Sequence, residues 1–482
     1  MNENKHKFMI MMRLSTLMDD SNRSYCSLRI CLSKRVAEFH SPTTNLPTIS
    51  IAKNALCVII GSGLVGAATA LALHQVGIQS TLYDQIDLVD ATTKGDVVEF
   101  GDSGGGVALQ AGGLRVLQTL GVLDECIKQG LPSRYVTWGK IDGSSPIVCD
   151  AFVWNQYSGE TDPKLQMPLL ILRSRLHTIL MQACQRAGIK TFVNKKLVDV
   201  KQESSSVTAF FADGTTATGD LLIGADGIHS ATRRKVFGET LRAKFTGEMG
   251  HIGVVNLKQH NITIKETEFC SFFVNRDQKY AVGVLQLSPE IGAVRVTTFD
   301  DPEEEDQSYR PVSDLPKHAG QLADLLKRWG TPPHIEKMMR NSFRVSAASI
   351  NDLPDMDTYR KDRVILIGDA AHGMVPNAGI GLLTGLEDVG TLLAIFKKFP
   401  KQEDWSKALD LYSKIRVERG TGAANQARNI RVRGMATSIF GSGLNHFVFR
   451  MIVAAGNNGF FKLYKVFDPE AEVSKRIREE LV

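Results

Sequence analysis

Three short stretches of this 482-residue chain place a glycine where an apolar run stops, and in two of them a carboxylate follows within two residues. The first, VIIGSGLVG, sets Gly61, Gly63 and Gly66 in a G-x-G-x-x-G spacing, with Asp84 following 18 residues after Gly66. Each position has a chemical use. Gly61 permits a tight turn, Gly63 lets a pyrophosphate approach the backbone, and Gly66 lets a helix pack closely on a strand. A helix opening at that loop presents free N–H groups and partial positive charge to the phosphates. Asp84 can accept hydrogen bonds from an adenosine ribose. The combination reads as a dinucleotide site, although glycines serving only a tight turn would look the same, and NAD and FAD are not separated by it.

The second stretch, LLIGADGIHSATRR, carries Asp226-Gly227 with Ser230 and Arg233 beyond it. The third, RVILIGDAAHGMVPNAGIG, ends its apolar run at Gly368-Asp369, and a helix is expected to begin near 378–381, bringing in Gly379 and Gly381. Asp369 is an isolated carboxylate at a strand end, suited to a ligand or to capping a helix. Asp226 could equally close a turn. His372 reads as a packed loop residue more readily than as a base.

The elements that must hold these residues follow from hydrophobic patterning. Runs at 56–60, 221–224 and 363–367 are short and mostly apolar, as buried parallel strands are, and STLYD at 80–84 reads as the second strand of the same kind. LVGAATALALHQV has helical spacing and stops at Gly77, so the chain opens as a βαβ unit. PLLILRSRLHTILMQACQRAG predicts a short strand and then an amphipathic helix starting near Arg173. Asp213-Gly214 lies between two β-patterned runs and signals a hairpin. From about 240 to 350 strand patterns dominate, with helices expected only at QLADLLKRWG and HIEKMMRN. A glycine-rich loop is expected at 101–106. The fold class is therefore α/β, a doubly wound sheet interrupted by a mainly antiparallel domain.

With three motifs in this order, the sequence resembles the class A flavoprotein monooxygenases, the para-hydroxybenzoate hydroxylase-like family. The resemblance covers roughly residues 55–400. It implies a Rossmann-like FAD-binding domain of the glutathione-reductase type, made of 55–240 and 345–400. A β-rich substrate domain at 241–344 and a helical region at 401–482 complete the implied division, after an extension at 1–54. By the match, Gly61, Gly63, Gly66 and Asp84 hold the ADP half of FAD. Gly368 and Asp369 hold its ribityl or pyrophosphate region, and Gly379 and Gly381 lead into a helix aimed at the flavin. Arg173 matches an arginine near the flavin, or a structural ion pair. Asp226 matches the aspartate that relatives use for FAD and for coupling to the nicotinamide donor. Ile380 and Leu383 stand where Gln and Asn are common, and Ala111-Gly112 where Pro-Asn is common.

The implied activity is an NAD(P)H- and dioxygen-dependent monooxygenation. A flavin C4a-hydroperoxide would hydroxylate or epoxidise a small aromatic, polyketide or terpenoid-like substrate. NAD(P)H acts as a transient co-substrate, because only one G-x-G-x-x-G is present. The cofactor carries the chemistry, which accounts for the lack of a nucleophile triad or a metal motif. The substrate pocket is expected under the β-rich block, with CSFFVNRDQKYAVGVLQL among its lining. A non-catalytic flavin-binding protein, or another FAD-dependent oxidoreductase of this fold, stays open. A halogenase is disfavoured, since Trp138, Trp154, Trp329 and Trp405 are isolated and form no W-x-W motif.

Composition limits other classes. The chain is 43% hydrophobic and 23% charged, ordinary for a globular protein. Its net charge is +5, but residues 1–55 hold eight Lys/Arg against four Asp/Glu, leaving a nearly neutral body. That gives no basic face for nucleic acid. Seven scattered cysteines make no disulfide framework. The Cys26–Cys31 pair precedes the first motif and is not placed like a redox pair. No apolar run is long enough to span a bilayer. The C-terminal GMATSIFGSGLNHFVF reads as packed helix, with peripheral membrane contact left open. Residues 1–55 resemble a mitochondrial presequence apart from Asp19-Asp20, so the expected location is cytoplasmic with mitochondrial targeting as the alternative. Oligomeric state is not legible.

Overall fold

The computed structural model describes residues 55–86, 104–275, 280–299, 310–311, 314–435, 441–459 and 466–480. All lie within one compact unit, Ile49–Val482. The extension at 1–54 with Cys26 and Cys31, residues 101–103 of the expected glycine loop, and 436–440 near the C-terminus fall outside the described residues.

The chain begins with β1 (Leu56–Ile60), α1 (Leu64–Gln75), β2 (Gln79–Tyr83), β3 (Gly106–Leu109), α2 (Ala111–Thr119) and α3 (Leu123–Gln129). Next come β4 (Leu131–Pro132), β5 (Tyr135–Lys140), β6 (Ile147–Asp150), α4 (Ala151–Tyr157), β7 (Leu169–Leu172) and α5 (Arg173–Arg186). Then follow β8 (Lys190–Phe192), β9 (Leu197–Gln202), β10 (Val207–Phe211), β11 (Thr216–Gly219), β12 (Leu221–Gly224) and α6 (Ala231–Phe237). The middle holds β13 (Lys244–Asn256), β14 (Cys270–Asn275), β15 (Tyr280–Gln286), β16 (Ile291–Thr298), β17 (Arg310–Pro311), α7 (Leu315–Arg328) and α8 (Pro333–Arg340). The last part has β18 (Arg344–Asp352), β19 (Arg360–Lys361), β20 (Val364–Leu366), α9 (Asp369–His372) and α10 (Gly381–Lys398). It closes with α11 (Trp405–Met435), α12 (Gly441–Asn457) and α13 (Pro469–Glu480).

The first sheet has the order β19-β20-β12-β1-β2-β8. From β20 to β8 every pairing is parallel. Its central strands are apolar along their length because both faces are covered, one by α1, α5 and α10 and the other by the β9-β10-β11 strands. α1 can lie close to this sheet because Ala67, Ala68, Ala70 and Ala72 give it a slim waist, and all four are buried. The antiparallel meander β9-β10-β11 turns at Asp213-Gly214, as the hairpin signal predicted.

The second sheet runs β17-β18-β13-β16-β15-β14-β5-β6. One face sets Val255, Val282, Val284, Val294 and Val296 against Leu322 and Leu326 of α7 and Met338 and Met339 of α8. The opposite face packs Val254, Cys270 and Ala293 on Leu170 and Leu172 of β7. The sheet is wider than the expected 241–344 segment, since β5 and β6 come from 135–150. β14 would otherwise present an open edge, and β5 fills it in parallel register. Pairing between segments so far apart leaves no local trace. α12 covers the β5–β6 end, where Val453 meets Ile147 and Cys149. Among the described residues no helix is long and apolar enough to cross a membrane.

Candidate active site

β1, β12 and β20 are neighbours, so the three glycine turns, two of them carrying a carboxylate, emerge side by side at the carboxyl end of the first sheet. That is where open α/β sheets bind ligands. The turns also interlock. Gly61 has φ +98°, and a methyl group there would overlap the Ala225 carbonyl. A methyl at Gly66 would overlap the Gly61 carbonyl oxygen. Val65, at the start of α1, lies 3.1 Å from where a side chain on Gly368 would begin. Arg233 ties the second turn to the third. Wholly buried, its guanidinium donates to the carbonyls of Leu241 and Ala370, each at 2.9 Å, and of Ile228 at 2.5 Å. Burial lowers its pKa to about 10, so it still carries its charge at neutral pH.

Several groups at this edge are left open. Among the described residues Gly63 caps α1 with no side-chain hydrogen bond, and nothing lies within 4 Å of where a side chain would start. The first N–H groups of α1 are thus accessible to an anion. Asp369 is exposed in the first turn of α9, and its carboxylate has no hydrogen-bond partner among the described residues. Gly379 and Gly381 lead into α10, which also begins without a side-chain cap. Asp369 Oδ1 lies 3.9 Å from where a side chain on Gly381 would begin. Two uncapped helix starts with a free carboxylate between them fit a long, phosphate-bearing, hydroxyl-rich cofactor.

The other expected residues are placed differently. Asp84 Oδ2 accepts from Ser62 N at 2.7 Å and Ser62 Oγ at 2.8 Å, holding the glycine loop shut. Among the described residues its Oδ1 accepts only from Ile86 N, at 2.9 Å, which leaves a lone pair. Asp226 turns inward: its oxygens accept from Ser230 Oγ at 2.5 Å and from Thr232 N and Oγ1 at 2.9 and 3.0 Å. It fixes the start of α6, the turn-closing role. Arg173 begins α5; its N–H donates to Gly105 O at 2.9 Å and its side chain runs beside Gly104.

Two groups escaped the sequence reading. His177, one turn beyond Arg173 on α5, has Nε2 2.6 Å from Ser62 O. Against a carbonyl Nε2 must carry the hydrogen, so the ring donates to the glycine loop. Burial holds its pKa below the usual imidazole range, and Arg173 pushes the same way. The i, i+4 spacing of Arg173 and His177 on one helix was the available signal. The second is a buried ion network behind the third turn. Asp388 Oδ2 accepts from Gly368 N at 2.8 Å and pairs with His372 Nε2 at 2.6 Å. Its Oδ1 accepts from Arg416 Nε at 2.5 Å. Burial by itself would raise the Asp388 carboxyl, but His372 and Arg416 outweigh it and hold it below the ordinary carboxylate range. His372 is thus packed and hydrogen-bonded as expected, but as the last residue of α9 and not in a loop. The departures at 112 and 383 are complementary, for Leu383 lies 3.2 Å from where a side chain on Gly112 would begin. Bulk on α10 replaces bulk on α2.

A parallel sheet with an open glycine loop at β1, interlocked with a free carboxylate at β20, and a second sheet packed over it define a class A flavoprotein monooxygenase. The FAD binding domain family matches residues 54–427, and the chain belongs to it. Among curated proteins it is similar to the FAD-dependent urate hydroxylase of Mycolicibacterium vanbaalenii. The identity is 28% over 377 residues, covering 77% of this chain and 86% of that one. It is also similar to 6-hydroxynicotinate 3-monooxygenase of Bordetella bronchiseptica, 26% identical over 380 residues, covering 75% and 88%. Among solved structures, Klebsiella pneumoniae HpxO complexed with FAD and uric acid superposes with a TM-score of 0.67 at 20% identity, covering 85% of this chain and 97% of that one. A salicylate hydroxylase substrate complex gives 0.66 at 19% identity, covering 88% and 98%. These two establish the fold. The protein is an FAD-dependent monooxygenase with FAD as its cofactor.

Proposed function

We propose that the chain holds FAD extended across the carboxyl ends of β1, β12 and β20 and uses NAD(P)H and dioxygen to hydroxylate or epoxidise a small planar organic substrate. In this reading Gly61, Gly63 and Gly66 bring the α1 N-terminus to the pyrophosphate, and Asp84 offers Oδ1 to the adenosine ribose. Asp369, beside Gly368, accepts from the ribityl region. The α10 N-terminus after Gly379 and Gly381 faces the pyrimidine edge of the flavin, where N–H groups and helix polarity favour negative charge. Asp226 and Arg233 support the site by fixing the turn under Gly61. Arg173 stands beside the 104–106 loop, within reach of the cofactor or of the junction with the second sheet. When bound, FAD supplies the hydride and oxygen chemistry, and the protein orients the substrate and excludes water.

The 55–240 and 345–400 segments would form the cofactor domain. The 241–344 segment, completed by β5 and β6, would form the substrate side, with 401–482 covering its ends. An aromatic substrate is favoured because relatives are named for urate and 6-hydroxynicotinate, both planar heteroaromatics. The observation that carries the reading is Asp369, an unpartnered carboxylate between two uncapped helix starts. The test is to purify the protein, measure flavin absorbance, and follow NADH and NADPH consumption across phenols, N-heteroaromatic acids and terpenoids. Product mass is read in parallel. Substrate-stimulated oxidation with one added oxygen atom is expected. A protein that neither carries nor takes up FAD overturns the proposal.

A further inference from the structure

Helix α12 packs on the rest of the protein through one face. There Val453 clusters with Ile147 and Cys149, and Phe449 meets the Trp138 ring edge-on with centroids 5.3 Å apart. Gly456 lets the helix come close to Trp154, whose ring would overlap any side chain starting at that position. Asn457 locks the end of the helix. Its Oδ1 accepts from Asp150 N at 2.9 Å and Trp154 Nε1 at 3.0 Å, and its Nδ2 donates to Val148 O at 2.8 Å. With the inner face held in this way, the direction of the outer face is set as well.

That outer face carries Phe447, Arg450, Met451 and Ala454, all exposed. Positions 447, 451 and 454 have the i, i+4, i+7 spacing of one helical stripe. Phe447 is 59% accessible and Met451 43%, so two large apolar side chains one turn apart stand in water. Arg450 lies beside them with no hydrogen-bond or ion-pair partner among the described residues.

The charge around the helix has a single sign. Residues 432–467 contain Arg433, Arg450, Lys462 and Lys465, and neither Asp nor Glu. The arginines just before this stretch are already matched: Arg419 pairs with Glu387, Arg428 with Asp352 and Arg431 with Glu248. A basic, acid-free segment that turns apolar side chains to water suits a partner with negative charge outside and an apolar layer beneath. A lipid bilayer has that layering. A protein partner suits it less well, because a stable interface covers about 800 Å² per side and this stripe is one helix wide.

We propose that the outer face of α12 docks on an anionic lipid surface, with Phe447 and Met451 entering the headgroup boundary and Arg450 level with the lipid phosphates. The contact is peripheral and reversible, since two apolar side chains anchor far more weakly than a spanning helix. It turns the β5–β6 end of the second sheet toward the membrane. The proposal goes beyond the flavin reading and does not depend on it.

The test mixes the full-length, FAD-loaded protein with sedimentable vesicles of phosphatidylcholine alone, or of phosphatidylcholine and phosphatidylserine in equal parts, and measures the protein that pellets. Binding should be at least about five-fold stronger on the anionic vesicles, the effect of one basic residue near such a surface, and should fall when salt is raised to about 0.5 M. Phe447→Ser combined with Met451→Ser should weaken anionic-vesicle binding about ten-fold or more. Phe447→Trp should retain it, because tryptophan suits the interface. Arg450→Gln should remove about five-fold of the anionic preference. Each variant should keep its FAD and a Tm within about 1 °C of the unaltered protein, since the altered side chains are exposed. Absent or equal binding to the two vesicle types overturns the proposal, as does anionic binding that survives the double substitution. Self-association without lipid that the double substitution abolishes overturns it too, and assigns the face to a second copy of the chain. If the double variant does not fold, Arg450→Gln decides, and an undiminished anionic preference overturns the proposal.

Discussion

Replacing Asp388 by Ala removes the acceptor that holds the third turn. The side chain is wholly buried, and three donors converge on it: Gly368 N, His372 Nε2 and Arg416 Nε. Without it, Arg416 keeps, among the described residues, Thr384 O at 3.0 Å, the Glu387 carboxylate at 3.5 Å and the Phe467 ring, while remaining fully buried. Breaking a buried ion pair from one side costs about 3–5 kcal/mol, and with Glu387 still beside Arg416 the low end, about 3 kcal/mol, applies. At roughly 2 cal/mol/K of unfolding entropy per residue, a chain of this size should lose about 3 °C in Tm. The second consequence is specific to the site. The Gly368 N–H loses its acceptor, so the turn presenting Asp369 is no longer preset. Ordering it on binding should weaken FAD affinity about ten-fold, the worth of one net hydrogen bond. Differential scanning fluorimetry of the apo-protein and a flavin-fluorescence titration measure the two effects. A folded Asp388→Ala protein with an unchanged FAD dissociation constant refutes the argument that this carboxylate sets the turn.

The glycines of the first loop should separate fold from ligand. Gly66→Ala overlaps a backbone carbonyl and should yield little folded protein, whereas Gly63→Ala points into open space and should keep the apo Tm within about 1 °C. The same Gly63 variant should bind FAD at least about ten-fold more weakly, since in the proposed placement the methyl stands where the pyrophosphate approaches; equal affinity would sink the placement. Asp369→Ala should likewise leave the apo Tm unchanged, the side chain being exposed and unpartnered, yet reduce retention of FAD through gel filtration. Stability should also depend on pH. Burial lowers the pKa of His177, His318 and His334, so each is neutral when folded and the unfolded chain takes up their protons first. Their contribution is fully present above the ordinary imidazole pKa of about 6.5 and is lost as pH falls below it. Tm should be level from pH 7 to 8 and fall toward pH 5; a rise on acidification contradicts the assignment. Asp388, held low, adds nothing to that slope until far more acid pH.

Much of the cofactor edge was legible because it is encoded locally. A glycine that must turn, a glycine that must let a carbonyl pass, and an apolar run short enough for a buried strand announce themselves within about ten residues. The βαβ opening, the Asp213-Gly214 hairpin and the start of α10 all came from such signals. In the sequence Asp226 and Asp369 each suited either a ligand or a local turn or cap, and the structure divided the work. Asp369 is open, Asp84 is half engaged with Ser62, and Asp226 is committed to α6. Nothing in the residue type distinguishes these, because what differs is which donor the fold brings within 3 Å.

The sequence by itself determined the backbone conformations of the dinucleotide turn and the alternation of buried strands and helices, since those depend on steric limits and periodicity along a short segment. Tertiary structure alone decided that β5 and β6 join the second sheet, that Asp388 and Arg416 lock Gly368 from behind, and that Phe449 of α12, not Phe447, packs on Trp138. Each is a contact between segments many residues apart. Its energy comes from excluding water around a pair, and that exclusion exists only after the chain has packed.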